Sequence, residues 1–254
     1  MIPEERRQKL IKKLQTNGIC TINSLVDDFE VSRVTIQRDI DLLKKQGLVF
    51  KIHGGVKIKK DEKDIETIFT VRLNENYEKK LIIARKGQEY VSDGETLFLD
   101  SSTSVFIFAQ QLFKRRFSNL NIITNSPAII DEAIKSNTNI NVMATGGQLD
   151  TEFQIFKGSW VIEFLEQINI DKAFISSGGI SAEQRITTTS RDLANTLNLI
   201  IGKVNEVNLL VDSSKFSKTA MINISDIGDF KRIITDDGFD EKTCPNLTNL
   251  IIAE

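Results

Sequence analysis

Short apolar runs recur between residues 96 and 235, and stretches with helical periodicity separate most of them. The runs cover 96–99, 121–124, 140–144, 172–175, 207–211 and 232–235. The helical stretches cover 103–113, 126–136, 157–168 and 190–205. Strands that are apolar throughout and alternate with helices form a mainly parallel sheet with helices on both faces. The pattern therefore predicts an α/β domain.

Small polar residues or glycines follow five consecutive runs. In an open parallel sheet, ligands bind at the carboxyl ends of the strands, and loops that lead into helices there can hold a phosphate through backbone N–H groups. We therefore predict a site for a phosphorylated small molecule, in which Lys215 adds positive charge and Asp100 accepts hydrogen bonds from sugar hydroxyls. The same residue types also form plain turns and helix caps, so a purely structural role is the alternative. The predicted binding residues are Asp100, Ser101, Ser102, Thr103, Ser104, Thr124, Asn125, Ser126, Thr145, Gly146, Gly147, Gly178, Gly179, Asp212 and Lys215.

The beginning of the chain has a different pattern, with three short amphipathic segments. The first covers residues 3–16, the second follows Thr21, and the third follows Ser32. Threonine and serine are preferred N-cap residues, so both positions predict the start of a helix. Residues 48–58 then read as two short strands joined by a Gly-Gly turn. The order predicts a helix-turn-helix unit followed by a β-hairpin, or wing.

The helix predicted after Ser32 has two different faces. Ile36, Ile40 and Leu43 recur at spacings of four and three, so they share one face and should pack in a core. The other face can contact a partner. If the partner is DNA, Gln37 and Arg38 are the residues placed to read base edges. The predicted DNA-binding residues are Thr21, Ser32, Arg33, Val34, Thr35, Gln37, Arg38, Lys51, His53 and Lys57.

Charge is distributed unevenly between the two parts of the chain. Residues 1–60 hold 13 Lys and Arg against 7 Asp and Glu, whereas residues 61–254 hold 20 against 28. A basic surface supplies the salt-dependent part of nucleic-acid affinity, which favours DNA as the partner. A winged three-helix unit can also serve only as a protein-contact module, which remains the alternative. His53, the only histidine, is a turn residue in this interpretation, and no metal site is predicted.

The chain is long enough for a small first domain and a larger second one. All six residues of 59–64 are charged, which indicates a linker. We predict a winged helix-turn-helix domain over 1–58, a linker over 59–75 and a ligand-binding domain over 76–254. Helical character begins at Tyr77 and extends to Val91.

Cysteine usage and hydropathy give expectations about location. Cys20 and Cys244 fall in different predicted domains, so no disulfide framework is expected. The chain has no apolar run near 18 residues and no leader-like segment. We expect a soluble, cytoplasmic protein without membrane contact. Phe156, Trp160 and Phe164 occur at helical spacing, so we expect them in the core, with a subunit interface as the alternative.

Several motifs taken together resemble the DeoR family of transcriptional regulators. Residues 6–11, 31–40, 48 and 53–55 are similar to its DNA-binding domain. Residues 100–103, 124–126, 145–147, 171–174 and 212–216 are similar to its sensor domain. The resemblance implies a sensor fold similar to ribose-phosphate isomerases, a sugar-phosphate effector, and a repressor of a sugar or carbon catabolism operon. It implies no cofactor.

The chain departs from the family pattern at a few positions. Gln37 replaces the first arginine of the recognition helix, and glutamine binds adenine bidentately where arginine prefers guanine. Ser102 replaces a glycine and Thr189 a proline, while Leu193 and Leu197 stand near positions that are acidic and basic in the family. The operator sequence and the effector therefore do not follow from the resemblance.

An enzyme is the second function class. Asp100, Asp212 and Lys215 could supply acid, base and electrostatic roles in a sugar-phosphate isomerase with a DNA-binding head. The sequence has no Cys-His, Ser-His-Asp or metal-ligand pattern, so we expect a regulator and not an enzyme. Two-fold operators need paired heads, so we also expect a homodimer or homotetramer.

Overall fold

A computed structural model describes residues 2–52, 54–58 and 67–254. The chain divides into two compact units, Met1–Asn74 and Glu75–Glu254. The predicted linker differs in part from this division, because residues 68–74 form a helix that belongs to the first unit. Seven residues make only two helical turns, which is too short for a clear periodicity in the sequence. Residues 59–66 of the linker lie outside the described residues.

The first unit contains the predicted helix-turn-helix and wing, and both predictions are confirmed. Its elements are α1 (Pro3–Asn17), β1 (Ile19–Thr21), α2 (Ile22–Phe29), α3 (Arg33–Lys45), β2 (Val49–Ile52), β3 (Gly55–Ile58) and α4 (Ile68–Asn74). The strands form an antiparallel sheet in the order β1-β3-β2. Strand β1 was not predicted, because three residues carry no readable alternation. Gly55 allows its pairing, since a Cβ there would lie 2.5 Å from the carbonyl oxygen of Cys20.

The core of this unit is built from the apolar stripes of its helices. Ile36, Ile40 and Leu43 of α3 are buried as predicted, and they pack with Leu10 and Leu14 of α1. Burying one such side chain contributes about 1.5–3 kcal/mol. This contact fixes which face of α3 points outward.

The second unit carries the predicted α/β fold. Its first elements are α5 (Tyr77–Gly87), β4 (Thr96–Leu99), α6 (Thr103–Leu112), β5 (Asn121–Thr124), α7 (Pro127–Ser136), β6 (Asn141–Ala144), β7 (Gln148–Asp150), β8 (Ile155–Lys157) and α8 (Ser159–Gln167). The remaining elements are β9 (Lys172–Ile175), β10 (Gly179–Ile180), β11 (Arg185–Thr188), α9 (Arg191–Lys203), β12 (Glu206–Leu210), β13 (Ile222–Asp226), β14 (Arg232–Asp236) and β15 (Leu250–Ala253).

Seven parallel strands form the central sheet, in the order β15-β14-β12-β9-β4-β5-β6. All six predicted strands belong to it, and β15 is an addition at one edge. From β4 the chain continues to β5 and β6 on one side, and then to β9 and the later strands on the other. The order therefore reverses between β4 and β9, which is where ligands bind in sheets of this kind.

Helices cover both faces of the sheet. On one face Val161 of α8 and Leu197 of α9 pack with Phe98 and Ile175 of the strands. On the other, the ring of Phe108 in α6 stacks on Phe174 with centroids 4.4 Å apart. No described helix is long and apolar enough to cross a membrane.

Trp160 corrects the expectation of a core residue. Its side chain is 74% exposed, whereas Phe156 and Phe164 pack partly buried against the core. Val161 and Leu165, four residues apart, are the fully buried positions of α8. Trp160 lies about 100° around the helix from Val161, so it points away from the sheet.

Two small β-structures were not predicted. Strands β10, β11 and β13 form an antiparallel sheet, and β7 pairs with β8 in a hairpin. Their strands are two to five residues long and lack a continuous apolar run. Such short strands cannot be distinguished from loops by periodicity.

Candidate functional site

Helix α3 begins at a hydroxyl cap, as predicted. The Ser32 Oγ accepts a hydrogen bond from the Thr35 N–H at 3.2 Å, and the two hydroxyls lie 2.8 Å apart. Helix α2 is capped in the same way, because Thr21 Oγ1 accepts from the Ser24 N–H at 3.1 Å. Thr21, Ser32 and Thr35 therefore have structural roles, and the two cap residues are exposed.

The outward face of α3 presents the predicted reading residues. Val34 is 56% exposed, Arg38 is exposed, and Gln37 is half-buried. Arg33 is also exposed, and its guanidinium donates to Asn23 Oδ1 on α2 at 3.3 Å. The face thus offers an apolar surface, an amide and a guanidinium, which are the groups that read base edges in a major groove.

The wing is tied to the recognition helix by an ion pair. Lys51 Nζ of β2 lies 2.6 Å from Asp41 Oδ1 of α3; Asp41 is exposed and Lys51 is half-buried. Part of the positive charge that we assigned to DNA is therefore balanced within the protein. Lys57 of β3 is half-buried. His53 lies outside the described residues.

A buried ion pair holds α3 against α1. Asp39 is only 2% exposed, and its Oδ2 lies 2.5 Å from Nε of Arg6, which is 7% exposed. Its Oδ1 lies 3.5 Å from a guanidinium nitrogen of Arg7. Residue 39 is the polar position on the inner side of α3, next to Ile40 in the core. The pair therefore fixes how α3 lies on α1, in addition to the apolar stripe.

Removing one partner of this pair should strongly destabilise the first unit. Without Arg6, the buried carboxylate of Asp39 keeps only the longer contact with Arg7. Breaking a buried pair costs about 3–5 kcal/mol when no partner remains, so we expect a loss of up to that size. Arg6→Met should show this loss in urea unfolding. Lys9→Met is the matched control, because Lys9 pairs with Glu5 at the surface and should cost less than about 1 kcal/mol. Equal stability of the two variants would contradict the assignment.

In the second unit, Asp100 joins the two strands at which the sheet order reverses. It follows β4 and is fully buried. Its Oδ1 accepts from the N–H and the hydroxyl of Ser102 at 2.9 and 2.5 Å. Its Oδ2 accepts from the N–H of Ser176, after β9, at 3.0 Å. Burial raises the pKa of Asp100 to about 6, although these hydrogen bonds oppose the rise.

The loop after Asp100 forms the start of α6. Ser102 caps the helix by accepting from the Val105 N–H at 3.4 Å. The N–H groups of Thr103 and Ser104 precede the first intrahelical bond and point along the positive end of the helix dipole. Ser101, Thr103 and Ser104 are buried. This loop offers backbone donors to an anion, while the Ser102 hydroxyl is already used.

Asn125 is the residue of the next strand end whose side chain has no structural partner. It is fully buried, and neither its amide nitrogen nor its oxygen has a hydrogen-bond partner in the described structure. Its neighbours are engaged: Thr124 Oγ1 donates to the Leu99 carbonyl at 2.7 Å, and Ser126 caps α7 at Ile129. A buried amide without partners costs about 1–3 kcal/mol, so it calls for a ligand or a water.

The third loop, residues 145–147, bends back over β8. Thr145 Oγ1 donates to the Gly146 carbonyl at 3.1 Å. Gly146 and Gly147 both have left-handed backbones, with φ of 68° and 108°. A Cβ on Gly147 would lie 2.7 Å from the Lys157 carbonyl oxygen. Glycine is required here by the turn itself.

Gly178 and Gly179 differ from the expected phosphate loop. The Gly178 N–H donates to the Thr187 carbonyl at 2.8 Å, and Gly179 belongs to β10. A Cβ on Gly179 would lie 2.4 Å from the Lys218 carbonyl oxygen. These glycines allow close packing within the small antiparallel sheet, so the amide of Gly178 is not available to a ligand.

Asp212 follows β12 and is fully buried. Its Oδ1 accepts from the N–H and hydroxyl of Ser214 and from the Asn76 side chain, whereas its Oδ2 has no hydrogen-bond partner among the described residues. Lys215 is half-buried in the turn that follows, and its N–H donates to the Asp212 carbonyl at 3.0 Å.

Three residues of this strand edge were not predicted: Asn76, Lys79 and Asp236. Asp236 ends β14, and its Oδ1 accepts from the Ser213 N–H at 2.7 Å. Its Oδ2 lies 2.9 Å from Lys79 Nζ. Burial disfavours the charge of Asp236, but the bonds from Ser213 and Lys79 outweigh burial and lower its pKa. A search for polar residues at the ends of predicted strands could have found Asp236. Nothing in the sequence indicates that α5 contacts these strand ends.

No cluster of three or more His, Cys, Asp or Glu side chains in the described part of the chain could hold a metal ion.

The raised pKa of Asp100 predicts a pH-dependent stability. Because the folded protein holds this proton more tightly than the unfolded chain, the stabilising contribution is fully present below about pH 4 and is lost as the pH rises through 6. A rise from 3.8 to about 6 corresponds to roughly 3 kcal/mol. Asp100→Asn should remove this dependence in urea unfolding between pH 4 and pH 7.

The control for this measurement is Asp93→Asn. Hydrogen bonds from the Asn119 and Ser118 N–H groups lower the pKa of Asp93, so its contribution is lost as the pH falls. The two variants should therefore differ from the parent with opposite pH trends. A pH profile of Asp100→Asn parallel to that of the parent would contradict the raised pKa.

Two family domains together match most of the chain. Residues 6–62 match the DeoR-like helix-turn-helix domain, and residues 75–237 match the DeoR C-terminal sensor domain. The chain belongs to the DeoR family. This confirms the resemblance found in the sequence motifs, and with it the expectation of a transcriptional regulator.

Relatives with names agree with this membership. The HTH-type transcriptional regulator GolR of Listeria innocua is 30% identical over 93% of this chain and 91% of its own length. The lactose phosphotransferase system repressor of Streptococcus mutans is 28% identical over 95% of each chain. Both are named as regulators of transcription, which agrees with the expectation of a transcriptional regulator.

Among solved structures, ribose 5-phosphate isomerase A of Methanocaldococcus jannaschii is similar, with a TM-score of 0.41 and 18% identity. The likeness covers 55% of this chain and 54% of the other.

Proposed function

We propose that this DeoR-family chain is a cytoplasmic repressor of a sugar or carbon catabolism operon. It binds operator DNA through α3 and the wing, and a phosphorylated sugar bound at the strand ends of the second unit controls it. It uses no cofactor, and it acts as a homodimer or homotetramer because a two-fold operator needs paired heads. The observation that carries the proposal is the outward face of α3, which exposes Val34 and Arg38 beside Gln37.

The residues around this face have two kinds of proposed role, contact with bases and contact with phosphates. Gln37 and Arg38 read base edges, and Val34 packs on a thymine methyl. Thr21, Ser32, Arg33 and Thr35 orient the unit on the phosphates, and Lys51, His53 and Lys57 contact the backbone from the wing. The locked position of α3 on α1 supports this division, because a reading helix must hold its side chains in register with the bases.

The sugar phosphate lies where the sheet order reverses. Its phosphate binds the first-turn N–H groups of α6 within residues 101–104, and its hydroxyls bind Asn125 and Asp212. Strands β12, β9, β4 and β5 are adjacent, so these two residues stand three strand spacings apart, about 14 Å. The amide of Asn125 and the Oδ2 of Asp212 support this placement, because neither has a hydrogen-bond partner among the described residues. Lys215 adds positive charge nearby.

Arg38→Ala tests the DNA half of the proposal. Losing a base-reading arginine should weaken binding to the operator by about 5- to 150-fold, with little effect on random DNA. The measurement is fluorescence anisotropy with a duplex that the parent protein selects from a random pool, and with a scrambled duplex. Arg116→Ala, an exposed arginine of the second unit, should leave both affinities unchanged. Parent-like operator binding by Arg38→Ala would contradict the assignment.

Thermal melting tests the effector half. A ligand at 100 times its Kd stabilises the folded state by about 2.7 kcal/mol, so one phosphorylated five- or six-carbon sugar should raise the Tm of the parent. The same sugars without phosphate are the control. Asn125→Leu should abolish this shift and keep the fold, because a near-isosteric apolar side chain replaces a buried amide without partners. Absence of a shift with every sugar phosphate would argue against a sugar-phosphate effector.

A further inference from the structure

We infer that Asn76 and Lys79 form a latch that links the effector site to the segment leading into the DNA-binding unit. The inference rests on the proposed function and concerns its regulation. The latch consists of Asn76, Lys79, residues 212–214 and Asp236, all within the second unit. It holds the first turn of α5 on the strand ends. Asn76 and Lys79 therefore affect DNA binding by positioning this turn, without touching the DNA.

Asn76 forms the first half of the latch. Its Nδ2 donates to Asp212 Oδ1 at 3.0 Å and to the Ser214 hydroxyl at 2.9 Å. Asn76 has a left-handed backbone with φ of 52°, and its side chain does not cap α5. An asparagine adopts this conformation at a cost, and here its amide bonds two groups of another loop. The residue therefore serves the contact with the strand end and not the start of its own helix.

Lys79 forms the second half, one turn further along α5. Its Nζ lies 2.9 Å from Asp236 Oδ2 and donates to the Ser213 hydroxyl at 2.6 Å. Asp236 is fully buried, so Lys79 balances a charge inside the protein. The Ser213 hydroxyl donates in turn to Asp236 Oδ2 at 2.8 Å, which joins the two strand ends to each other.

The latch reaches the effector site through a shared carboxylate. Asp212 uses its Oδ1 for Asn76 and Ser214, while its Oδ2 is buried without a hydrogen-bond partner in the described structure. A sugar hydroxyl that donates to Oδ2 draws charge density from Oδ1 and reorients the carboxylate. The same side chain therefore senses the ligand and holds Asn76.

On the other side, the latch is two residues from an anchor in the first unit. Asn74 ends α4, and its Nδ2 donates to the Lys51 carbonyl of wing strand β2 at 3.4 Å and to the Thr70 carbonyl at 2.8 Å. Only Glu75 separates Asn74 from Asn76 along the chain. A change at Asp212 is therefore transmitted through two consecutive side-chain anchors. An ordered first turn of α5 reduces the conformational freedom of the segment that leads into the DNA-binding unit. The entropy cost of binding two half-sites at once is therefore lower.

The test uses Asn76→Gly in the full chain. Glycine adopts the left-handed backbone readily and removes the amide contacts, and the added backbone freedom is matched by a control at a second left-handed asparagine. We expect faster hydrogen exchange of the amides of residues 77–80 and at least threefold weaker binding to the selected operator, with unchanged affinity for the scrambled duplex. Asn137→Gly is the matched control, since Asn137 has the same backbone, with φ of 49°, at the end of α7. Its exchange and affinity should equal those of the parent.

A second pair of variants repeats the test on the charged half. Lys79→Met should weaken operator binding at least threefold, and Lys86→Met should not, because Lys86 pairs with Glu89 on the exposed side of α5. Parent-like operator affinity in both Asn76→Gly and Lys79→Met overturns the latch. This holds even if the hydrogen exchange of residues 77–80 changes in these variants. A parent protein that prefers no sequence refutes the proposed function instead.

A third experiment, with a bound ligand, distinguishes the latch proposal from the effector proposal. The probe is the sugar phosphate that gives the largest melting shift in the panel. It should change the exchange of residues 77–80 in the parent and leave it unchanged in Asn76→Gly. Equal changes in both proteins overturn the link to Asp212. If no sugar phosphate shifts the melting, the effector proposal fails, and the operator affinities of the variants still decide the latch.

Discussion

Buried carboxylates at the carboxyl ends of parallel strands must receive hydrogen bonds, and much of this fold follows from that requirement. Asp100 takes donors from its own loop and from the loop after the neighbouring strand β9. Asp236 takes donors from the loop after β12 and from Lys79. Each carboxylate therefore ties two or three chain segments together at one edge. Among the described residues, the Oδ2 of Asp212 and the side-chain amide of Asn125 have no hydrogen-bond partner, and we assign the proposed ligand to them.

The DNA-binding unit depends on the same principle in a smaller core. The apolar stripe of α3 would allow some rotation about the helix axis, because packing of aliphatic side chains is not directional. The pair of Asp39 with Arg6 is directional, and it sets one orientation of the outward face. The base reading that we propose for Gln37 and Arg38 requires such a fixed orientation. Both units thus use a buried acid to fix the position of one chain segment against another.

The sequence predicted those features that local periodicity records. The strands from Thr96 and Asn121 and the caps at Thr21 and Ser32 lie where the patterns indicated. It could not distinguish glycines that bind a ligand from Gly179, whose role is close approach to a distant backbone. Short β-structures and the contacts of α5 depend on long-range packing, which leaves no periodic signal. The sequence therefore predicted the strand ends, but it did not predict the residues of other elements that contact them.

The central claim is that one chain couples DNA binding to a ligand at the strand ends. Coupling is reciprocal: a sugar phosphate that changes operator affinity must itself bind with an affinity changed by the same factor when the operator is present. Calorimetric titration of the sugar phosphate into the chain, with and without saturating operator DNA, measures this factor directly. The account predicts weaker binding with operator, by about 5- to 150-fold. Equal affinities in the two titrations would contradict it.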